Sequence, residues 1–368
     1  MKFNISCPLN SLSFGQVSYN ILKEIYAKGL SPCWFPIGGV DLSSFDKATD
    51  DFKMWLNSCA MKGLKSYSRD NPEFKMWHIN SSEVSHSNKQ TLLTFHETSE
   101  ITPIEKNILN NQENVLVSSE YTKEVMESYG VKNVTFVPLG FDAENFRKID
   151  KHPYNNACIV WGIAGKFELT RKKTAKLIKL WVSIYGNNPK HRLHLHVFNG
   201  FLDQNPEKCS AINAQIVAQA LEGKQYWNIN LLNRHLPTSS EYNSFINSID
   251  IYLDGGGSEG WGIPQFSATA LGKHLVTVNS NAVKGWANKE NAVLVEPAGM
   301  IEAYDNMFFH KGQPFNQGLF FDWKEEDFVS AMNQAEQRYV KNPKNIAGLE
   351  LQKMTWSNTV DRILETIK

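Results

Sequence analysis

Short apolar runs alternate with segments of helical periodicity along most of this 368-residue chain, and this alternation limits the fold more than any other feature. Neighbouring parallel strands need a long crossover connection, which is usually a helix. The alternation therefore predicts a parallel α/β fold. The apolar runs that we interpret as strands are residues 2–7, 91–95, 114–118, 134–138, 158–163, 193–198, 228–232, 249–253, 274–278 and 292–295. The segments that we interpret as helices include residues 17–28, 173–185, 240–248 and 264–271.

The chain is too long for one hydrophobic core of ordinary size and fits two domains. A polar and charged stretch at residues 143–156 interrupts the pattern. We therefore place a first domain at residues 1–150 and a second at 151–340, and we expect the helical segment 341–368 to pack back on the first. Residues 60–90 are irregular, polar and aromatic, which predicts a long surface loop.

The composition argues against several classes of protein. The 38 Lys and Arg residues balance 38 Asp and Glu residues, unlike a protein with a broad nucleic-acid surface or a strongly membrane-seeking one. The sequence shows neither a signal peptide nor an apolar run long enough to span a membrane. We therefore expect a cytoplasmic protein with at most peripheral membrane contact. The five scattered cysteines form no CxxC pair, in keeping with a reducing compartment: Cys7, Cys33, Cys59, Cys158 and Cys209.

Residues 254–264, Asp-Gly-Gly-Gly-Ser-Glu-Gly-Trp-Gly-Ile-Pro, follow the apolar run 249–253 and precede a helical segment. In open α/β sheets, ligands bind where strands end and helices begin. Glycines let backbone N–H groups approach an anion, and the start of a helix adds positive potential. The carboxylate of Glu259 can accept strong hydrogen bonds from sugar hydroxyls. A glycine-rich turn with a solvated glutamate fits the spacing equally well.

This glycine-rich run resembles the signature of the family 4 retaining glycosyltransferases. Their pattern is Glu-Gly-Phe-Gly-(Leu/Ile)-Pro, and a second Glu follows the first after seven intervening residues. The resemblance implies the GT-B fold, in which two Rossmann-like, doubly wound domains face each other across a cleft, and it implies that Glu259 holds the donor sugar. Ser267 stands where the family has the second Glu, which holds the nucleotide ribose, so one hydroxyl replaces a carboxylate there. The substrate-binding residues implied in this segment are Ser258, Gly260, Trp261, Gly262, Ile263 and Ser267.

A second match to the family begins at Gly165. The family has Gly-Arg there and a Lys six residues later, and these two cations grip the donor diphosphate as it leaves. Lys166 occupies the Arg position and Lys172 the Lys position, so the resemblance implies this role for both. Cations near the leaving phosphate lower the barrier because negative charge grows on it, although Lys lacks the planar fork of Arg. Taken alone, the basic run at residues 171–173 is typical of a solvated helix start.

Three further features of the N-terminal half match the family. Residues 117–142, from Val-Ser-Ser-Glu-Tyr-Thr to Val-Pro-Leu-Gly-Phe-Asp, resemble the segment that ends its first domain and is mainly scaffold. His96 follows the apolar run 91–95, where the family often keeps a His that faces the donor sugar, although a lone His is more often structural. Gly15 lies in the first strand-to-helix turn, where the family places a glycine-rich loop near the phosphate and the acceptor.

Together these matches predict a retaining glycosyltransferase. It would transfer a sugar from a nucleotide sugar, linked to UDP or GDP, to a glycan or lipid-linked glycan. The resemblance implies no further cofactor. The catalytic residues that it implies are Glu259, Lys166, Lys172 and His96.

Several alternatives remain open. The departures at Lys166 and Ser267 fit a catalytically inactive descendant that binds a nucleotide sugar, and measurable donor turnover would exclude it. A DNA-modifying glycosyltransferase of the phage type shares the architecture, and salt-sensitive duplex binding would support it, although the zero net charge weighs against it. A metal site is not expected, because His194 and His196 share a strand face without a third ligand nearby.

Overall fold

The structure, a computed structural model, describes residues 1–150, 157–305 and 307–367. None of the helices in these ranges is long and apolar enough to cross a membrane. The elements of the N-terminal half are β1 (Asn4–Cys7), α1 (Ser13–Ala27), β2 (Cys33–Pro36), α2 (Asp50–Ser66), β3 (Glu73–Met76), β4 (Gln90–Thr94), α3 (Pro103–Asn110), β5 (Asn114–Val117), α4 (Glu120–Ser128) and β6 (Val134–Phe136). Those that follow are β7 (Ile159–Ala164), α5 (Thr174–Tyr185), β8 (His191–His196), α6 (Pro206–Ala220), β9 (Ile229–Leu231), α7 (Ser239–Asn247), β10 (Ile251–Asp254), α8 (Ile263–Ala270), β11 (His274–Val278), a 3-10 helix (Asn281–Gly285), β12 (Val293–Val295), β13 (Gly299–Glu302), β14 (Leu319–Asp322), α9 (Glu325–Lys341), α10 (Ile346–Leu349), a second 3-10 helix (Glu350–Lys353) and α11 (Trp356–Thr366).

The strands form two six-stranded parallel sheets, which confirms the predicted α/β fold class. The first sheet has the order β2-β1-β3-β4-β5-β6, which extends the flavodoxin-like order by one strand. The second has the order β12-β11-β10-β7-β8-β9, which is the order of a dinucleotide-binding Rossmann sheet. The strand sequence reverses between β1 and β3 and between β10 and β7. Such switch points leave a crevice at the carboxyl ends of the strands.

The prediction of a long surface loop at residues 60–90 is wrong. Helix α2 covers the start of this range, and β3 lies inside the first sheet between β1 and β4. Strand β3 carries two buried charged side chains, Glu73 and Lys75, so it lacks a continuous apolar run. The Glu73 carboxylate accepts hydrogen bonds from Ser85 Oγ at 2.8 Å and from the His86 N–H at 2.6 Å. The loop after β3 therefore satisfies a charge that the sequence pattern does not place in a core.

Helix α11 returns to the N-terminal half of the chain and packs against α1. The Phe141 N–H donates to the Met354 carbonyl at 2.7 Å just before this helix begins. Within the helix, Thr359 Oγ1 donates to the Pro138 carbonyl at 2.8 Å. These bonds tie the end of the chain to the segment that follows β6. The predicted domain boundary adjoins residues 151–156, which lie outside the described residues.

Strands β13 and β14 pair antiparallel and form a hairpin in the C-terminal half. We call residues 299–305 and 307–322 the hairpin arm. Thr102 Oγ1, at the start of α3, donates to the Pro314 carbonyl of this arm at 2.7 Å. The Phe315 side chain packs against the apolar cluster around β4 and β5. The arm, which has no counterpart among the predicted elements, therefore connects the two halves of the chain beside the cleft.

Candidate active site

The loop after β7 and the loop after β10 meet at the switch point of the second sheet, because β7 and β10 are neighbours. The Gly257 N–H donates to the Arg171 carbonyl at 2.8 Å, which joins the two loops. A Cβ on Gly257 would lie 1.9 Å from the Phe321 carbonyl oxygen. Only glycine therefore fits where β14 crosses this loop.

Asp254 fixes the loop after β10 at its base. Its buried carboxylate accepts hydrogen bonds from the Gly256 N–H at 3.0 Å, Gln265 Nε2 at 3.1 Å and Thr277 Oγ1 at 2.8 Å. Burial, followed by the nearby charge of Glu259, raises the pKa of Asp254 to about 6. One carboxylate thus holds the first turn of the loop, the start of α8 and the adjacent strand β11 together.

Five charged side chains meet where these loops face the first sheet, and we call them the ionic cluster: Glu97, Glu168, Arg171, Lys172 and Glu259. Lys172 Nζ lies 2.7 Å from Glu259 Oε1. Arg171 donates to both carboxylate oxygens of Glu168, at 2.8 and 2.9 Å. Its Nη1 also lies 2.9 Å from Glu97 Oε1 and 3.5 Å from Glu259 Oε2. Because Glu97 follows β4 of the first sheet, Arg171 joins the two halves of the chain across the cleft.

The protonation states in the cluster depend on one another. Burial alone would raise the pKa of Glu168, but Arg171 and Lys172 outweigh it and lower that pKa to about 2. Burial would lower the pKa of Lys172, but the charges of Glu259 and Glu168 and the hydrogen bond to Glu259 together outweigh it, and the pKa is raised. Burial raises the pKa of Glu97, and Glu259 and Glu168 act in the same direction against Arg171. Arg171 and Lys172 therefore stay charged in a buried setting.

Lys166, predicted to share the role of Lys172, lies at the edge of the ionic cluster. Its Nζ is 3.4 Å from Glu168 Oε1. The same Nζ lies 4.1 Å from the ring centroid of Phe308 and 5.0 Å from that of Phe201. Burial lowers the pKa of Lys166. Two aromatic rings and one carboxylate thus hold this ammonium group beside the cluster.

His96 lies within the loop that follows β4. Its Nε2 is 2.8 Å from the Glu100 carbonyl oxygen and 2.9 Å from Thr98 Oγ1. Burial lowers the pKa of His96. In this arrangement the ring binds its own loop. The adjacent Glu97, rather than His96, contributes a side chain to the ionic cluster.

Ser258 and Gly260 flank Glu259, and both contact segments outside the loop. The Ser258 carbonyl accepts a hydrogen bond from Arg171 Nη1 at 3.2 Å. A Cβ on Gly260 would lie 2.8 Å from Phe95 Cβ, so the loop touches the end of β4 directly. The carboxylate of Glu259 is therefore presented at the contact between the two sheets' loops.

Trp261, Gly262 and Ile263 lead from this loop into α8. Gly262 has a φ of +80°, in the left-handed region that favours glycine. Trp261 is buried, and its carbonyl accepts a hydrogen bond from Trp286 Nε1 at 3.0 Å. Ile263 is the first residue of α8. These three residues set the direction in which the helix leaves the loop.

Gly15 and Ser267, also predicted to bind substrate, have other surroundings. Gly15 lies in the first turn of α1, and a Cβ there would lie 2.2 Å from the Asn10 carbonyl oxygen. Glycine thus allows this turn to close tightly. Ser267 is buried on α8 and lines a small cavity whose other walls include Asp142 and Trp356. Ser267 therefore faces residues from the end of each half of the chain.

Glu97, Glu168 and Arg171 belong to the ionic cluster but were not predicted as site residues. Two of them lie next to predicted residues, since Arg171 precedes Lys172 and Glu97 follows His96. Adjacency to a predicted site residue was the sequence signal that could have identified these two. The pairing of Glu97 with Arg171 follows only from the packing of the two halves.

The two histidines weighed as a metal pair bind protein groups instead. His194 Nδ1 lies 2.9 Å from Ser248 Oγ, and its Nε2 lies 3.1 Å from Asn230 Nδ2. His196 Nε2 lies 3.2 Å from the Arg234 carbonyl oxygen. Among the residues that the structure describes, no three His, Cys, Asp or Glu side chains are grouped as a metal site.

No protein-family model matches the chain, and no curated protein matches it. Solved structures do match it over nearly its whole length. Sucrose-phosphate synthase from Thermosynechococcus elongatus is 12% identical, with a TM-score of 0.65 over 99% of this chain and 98% of that one. A UDP-forming α,α-trehalose-phosphate synthase from Burkholderia xenovorans is 10% identical, with a TM-score of 0.66 over 100% and 98%. HepE from Anabaena, solved with UDP and glucose, is 11% identical, with a TM-score of 0.62 over 100% and 99%.

These likenesses concern the fold, because the identities are only 10 to 12%. They span both six-stranded sheets and the crevice between them. The arrangement is the one that the sequence resemblance predicted. The chain therefore has the GT-B fold.

Proposed function

We propose that the protein is a family 4-like retaining glycosyltransferase, which transfers a sugar from a nucleoside diphosphate sugar to a glycan or lipid-linked glycan. The observation that carries the proposal is the ion pair between Lys172 Nζ and Glu259 Oε1, 2.7 Å apart at the carboxyl ends of β7 and β10. A cation for the diphosphate and a carboxylate for the sugar thus lie side by side at a switch point. Two neighbours in fold, one solved with UDP and glucose and one that forms UDP, support a UDP sugar as the donor, with a GDP sugar as the alternative.

In the proposed reaction, the donor diphosphate displaces Glu259 from Lys172. Lys172 then faces the phosphates and, with Lys166 beside the site, stabilises the negative charge that grows as the bond between sugar and phosphate breaks. The freed Glu259 carboxylate accepts hydrogen bonds from the hydroxyls of the donor sugar. The acceptor hydroxyl attacks from the side on which the diphosphate leaves and gives its proton to the departing phosphate oxygen. The anomeric configuration is therefore retained.

The remaining predicted residues have supporting roles in this proposal. Lys166 adds positive charge at the edge of the phosphate site. His96 contacts the donor sugar once its ring leaves the Glu100 carbonyl. Closure of the two halves excludes water and so limits hydrolysis of the donor. The proposal includes no metal or further cofactor, because the basic side chains supply the charge that the leaving group needs.

A donor screen followed by turnover tests the proposal. UDP-glucose, UDP-N-acetylglucosamine and GDP-mannose are compared by thermal shift, because a ligand that binds only the folded chain stabilises it. Release of the nucleoside diphosphate then measures turnover with the best donor. Glu259→Gln and Lys172→Met should each lower turnover by about 100-fold or more. Lys179→Met, which alters a side chain 52% exposed on α5, is the matched control and should leave turnover unchanged.

Each part of the proposal has its own contradicting result. Normal turnover in both Glu259→Gln and Lys172→Met would show that the site is wrongly assigned. The absence of stabilisation and of turnover with all the donors would contradict a glycosyltransferase. A product whose anomeric proton signal in the NMR spectrum shows inverted configuration would contradict the retaining mechanism.

A further inference from the structure

Four aromatic side chains line the carboxyl edge of the first sheet, and we call them the aromatic wall: Phe14, Trp77, His78 and Phe95. Trp77 and His78 directly follow β3, and Phe95 directly follows β4. Phe14 lies in the first turn of α1, which follows β1. Because β3 lies between β1 and β4, the three strand ends bring these rings together. The proposed donor site uses none of them.

The rings of the wall form a continuous array. The ring centroids of Phe14 and His78 are 4.3 Å apart, and those of Phe14 and Phe95 are 5.0 Å apart. Trp77 meets His78 edge to face, with centroids 5.2 Å apart. His78 is exposed, and the other three rings are partly exposed. A cluster of aromatic rings left open at a sheet edge is a surface available to a ligand.

The aromatic wall lies against the proposed donor site. A Cβ on Gly260 would lie 2.8 Å from Phe95 Cβ, so this end of the wall touches the loop that carries Glu259. At the other end, partial desolvation of His78, and then the charge of Lys166, lower the pKa of this exposed side chain. The imidazole is therefore neutral at neutral pH and can accept a hydrogen bond.

We propose that the aromatic wall is the acceptor subsite and that it binds a pyranose ring stacked on Trp77. A pyranose has an apolar face of C–H groups and a rim of hydroxyls. Aromatic rings bind the apolar face, and polar side chains beside them bind the hydroxyls. His78 and Glu97, both at this sheet edge, are the hydrogen-bond partners for the rim. The assignment rests on the proposed function, since it places the acceptor beside the donor sugar held by Glu259.

Saturation-transfer NMR on the full chain tests the subsite without knowledge of the natural acceptor. The probes are the methyl α- and β-glycosides of glucose, galactose, mannose and N-acetylglucosamine, with UDP as a separate probe. We expect saturation of the ring protons on one face of at least one glycoside. Trp77→Ala should weaken that binding about tenfold, the size of one lost stacking contact. Trp227→Ala, which removes a tryptophan 60% exposed before β9, is the matched control and should bind as the wild type does.

The outcomes separate the acceptor subsite from the proposed function. UDP binding without saturation of any glycoside overturns the subsite and leaves the donor site standing. Glycoside binding that weakens equally in Trp77→Ala and Trp227→Ala also overturns it. Trp77-dependent glycoside binding without UDP binding supports the subsite and contradicts the donor site. If Trp77→Ala weakens UDP instead of the glycoside, the wall holds the donor, and the acceptor assignment is wrong.

Discussion

Replacing Glu168 by Gln tests how strongly the ionic cluster stabilises the fold. Glu168 is buried and accepts hydrogen bonds from Arg171 at 2.8 and 2.9 Å. Despite burial, Arg171 and Lys172 lower its pKa from the ordinary 4.5 to about 2. Each tenfold change in proton affinity corresponds to about 1.4 kcal/mol, so the ionised carboxylate contributes about 3 kcal/mol to the free energy of unfolding at neutral pH. Glu168→Gln keeps the shape, removes the charge and should lose most of that contribution.

The lowered pKa of Glu168 also sets the pH dependence of this contribution. Because the pKa of Glu168 is lower in the folded chain, its contribution is present above pH 4.5 and is lost as the pH falls towards 2. Urea denaturation should therefore show a difference between wild type and Glu168→Gln of about 3 kcal/mol at neutral pH and of about 2 kcal/mol near pH 3.5. Glu222→Gln, which alters a side chain 58% exposed, is the control and should change little. A difference under about 1 kcal/mol at neutral pH, or one that does not shrink in acid, would refute the reasoning.

Three further perturbations have direct readouts. Gly257→Ala places a Cβ 1.9 Å from a backbone oxygen. Chemical denaturation should show a loss of about 1–3 kcal/mol in the free energy of unfolding, and turnover should fall. Gly39→Ala places its Cβ in open space and should change neither stability nor turnover. Thr102→Val removes the hydroxyl that caps α3 and binds the hairpin arm. Denaturation should show a loss of about 1–2 kcal/mol that Thr102→Ser largely restores, and equal stability of both variants would contradict this role. Donor turnover should survive EDTA, because the cations of the ionic cluster supply the charge; a loss that added Mg²⁺ restores would contradict the metal-independent proposal.

The loop at residues 254–264 was predictable because its constraints are local. An apolar strand, a run of glycines and a helix start follow one another directly, so the position of Glu259 follows from the sequence pattern. The close approach of Phe321 to Gly257 and the left-handed φ of Gly262 explain in physical terms why the run contains glycine.

The contribution of Arg171 and Glu97 to the ionic cluster depends on contacts that cannot be predicted from the sequence pattern. Arg171 and Glu97 are 74 residues apart and lie in loops that follow strands of different sheets. Strand β3 was not predicted for a related reason. Its Glu73 can be buried only because the loop after β3 donates hydrogen bonds to the carboxylate. Local patterns thus predicted most of the strands and the loop that carries Glu259, whereas charges paired over long distances required the folded chain.

The ion pair between Lys172 and Glu259 explains how one site can recognise a phosphate and a sugar together under the proposed function. Glu259 is buried and the Lys172 side chain is only 15% exposed, so each charge needs a partner, and in this structure each has the other at 2.7 Å. A diphosphate that binds Lys172 leaves the Glu259 carboxylate buried and without that partner, which raises the free energy of the complex. The hydroxyls of a sugar attached to that diphosphate are the groups that can replace it. A free nucleoside diphosphate therefore binds against a penalty that the intact donor offsets, and the exchange of partners favours the substrate over the product that must leave.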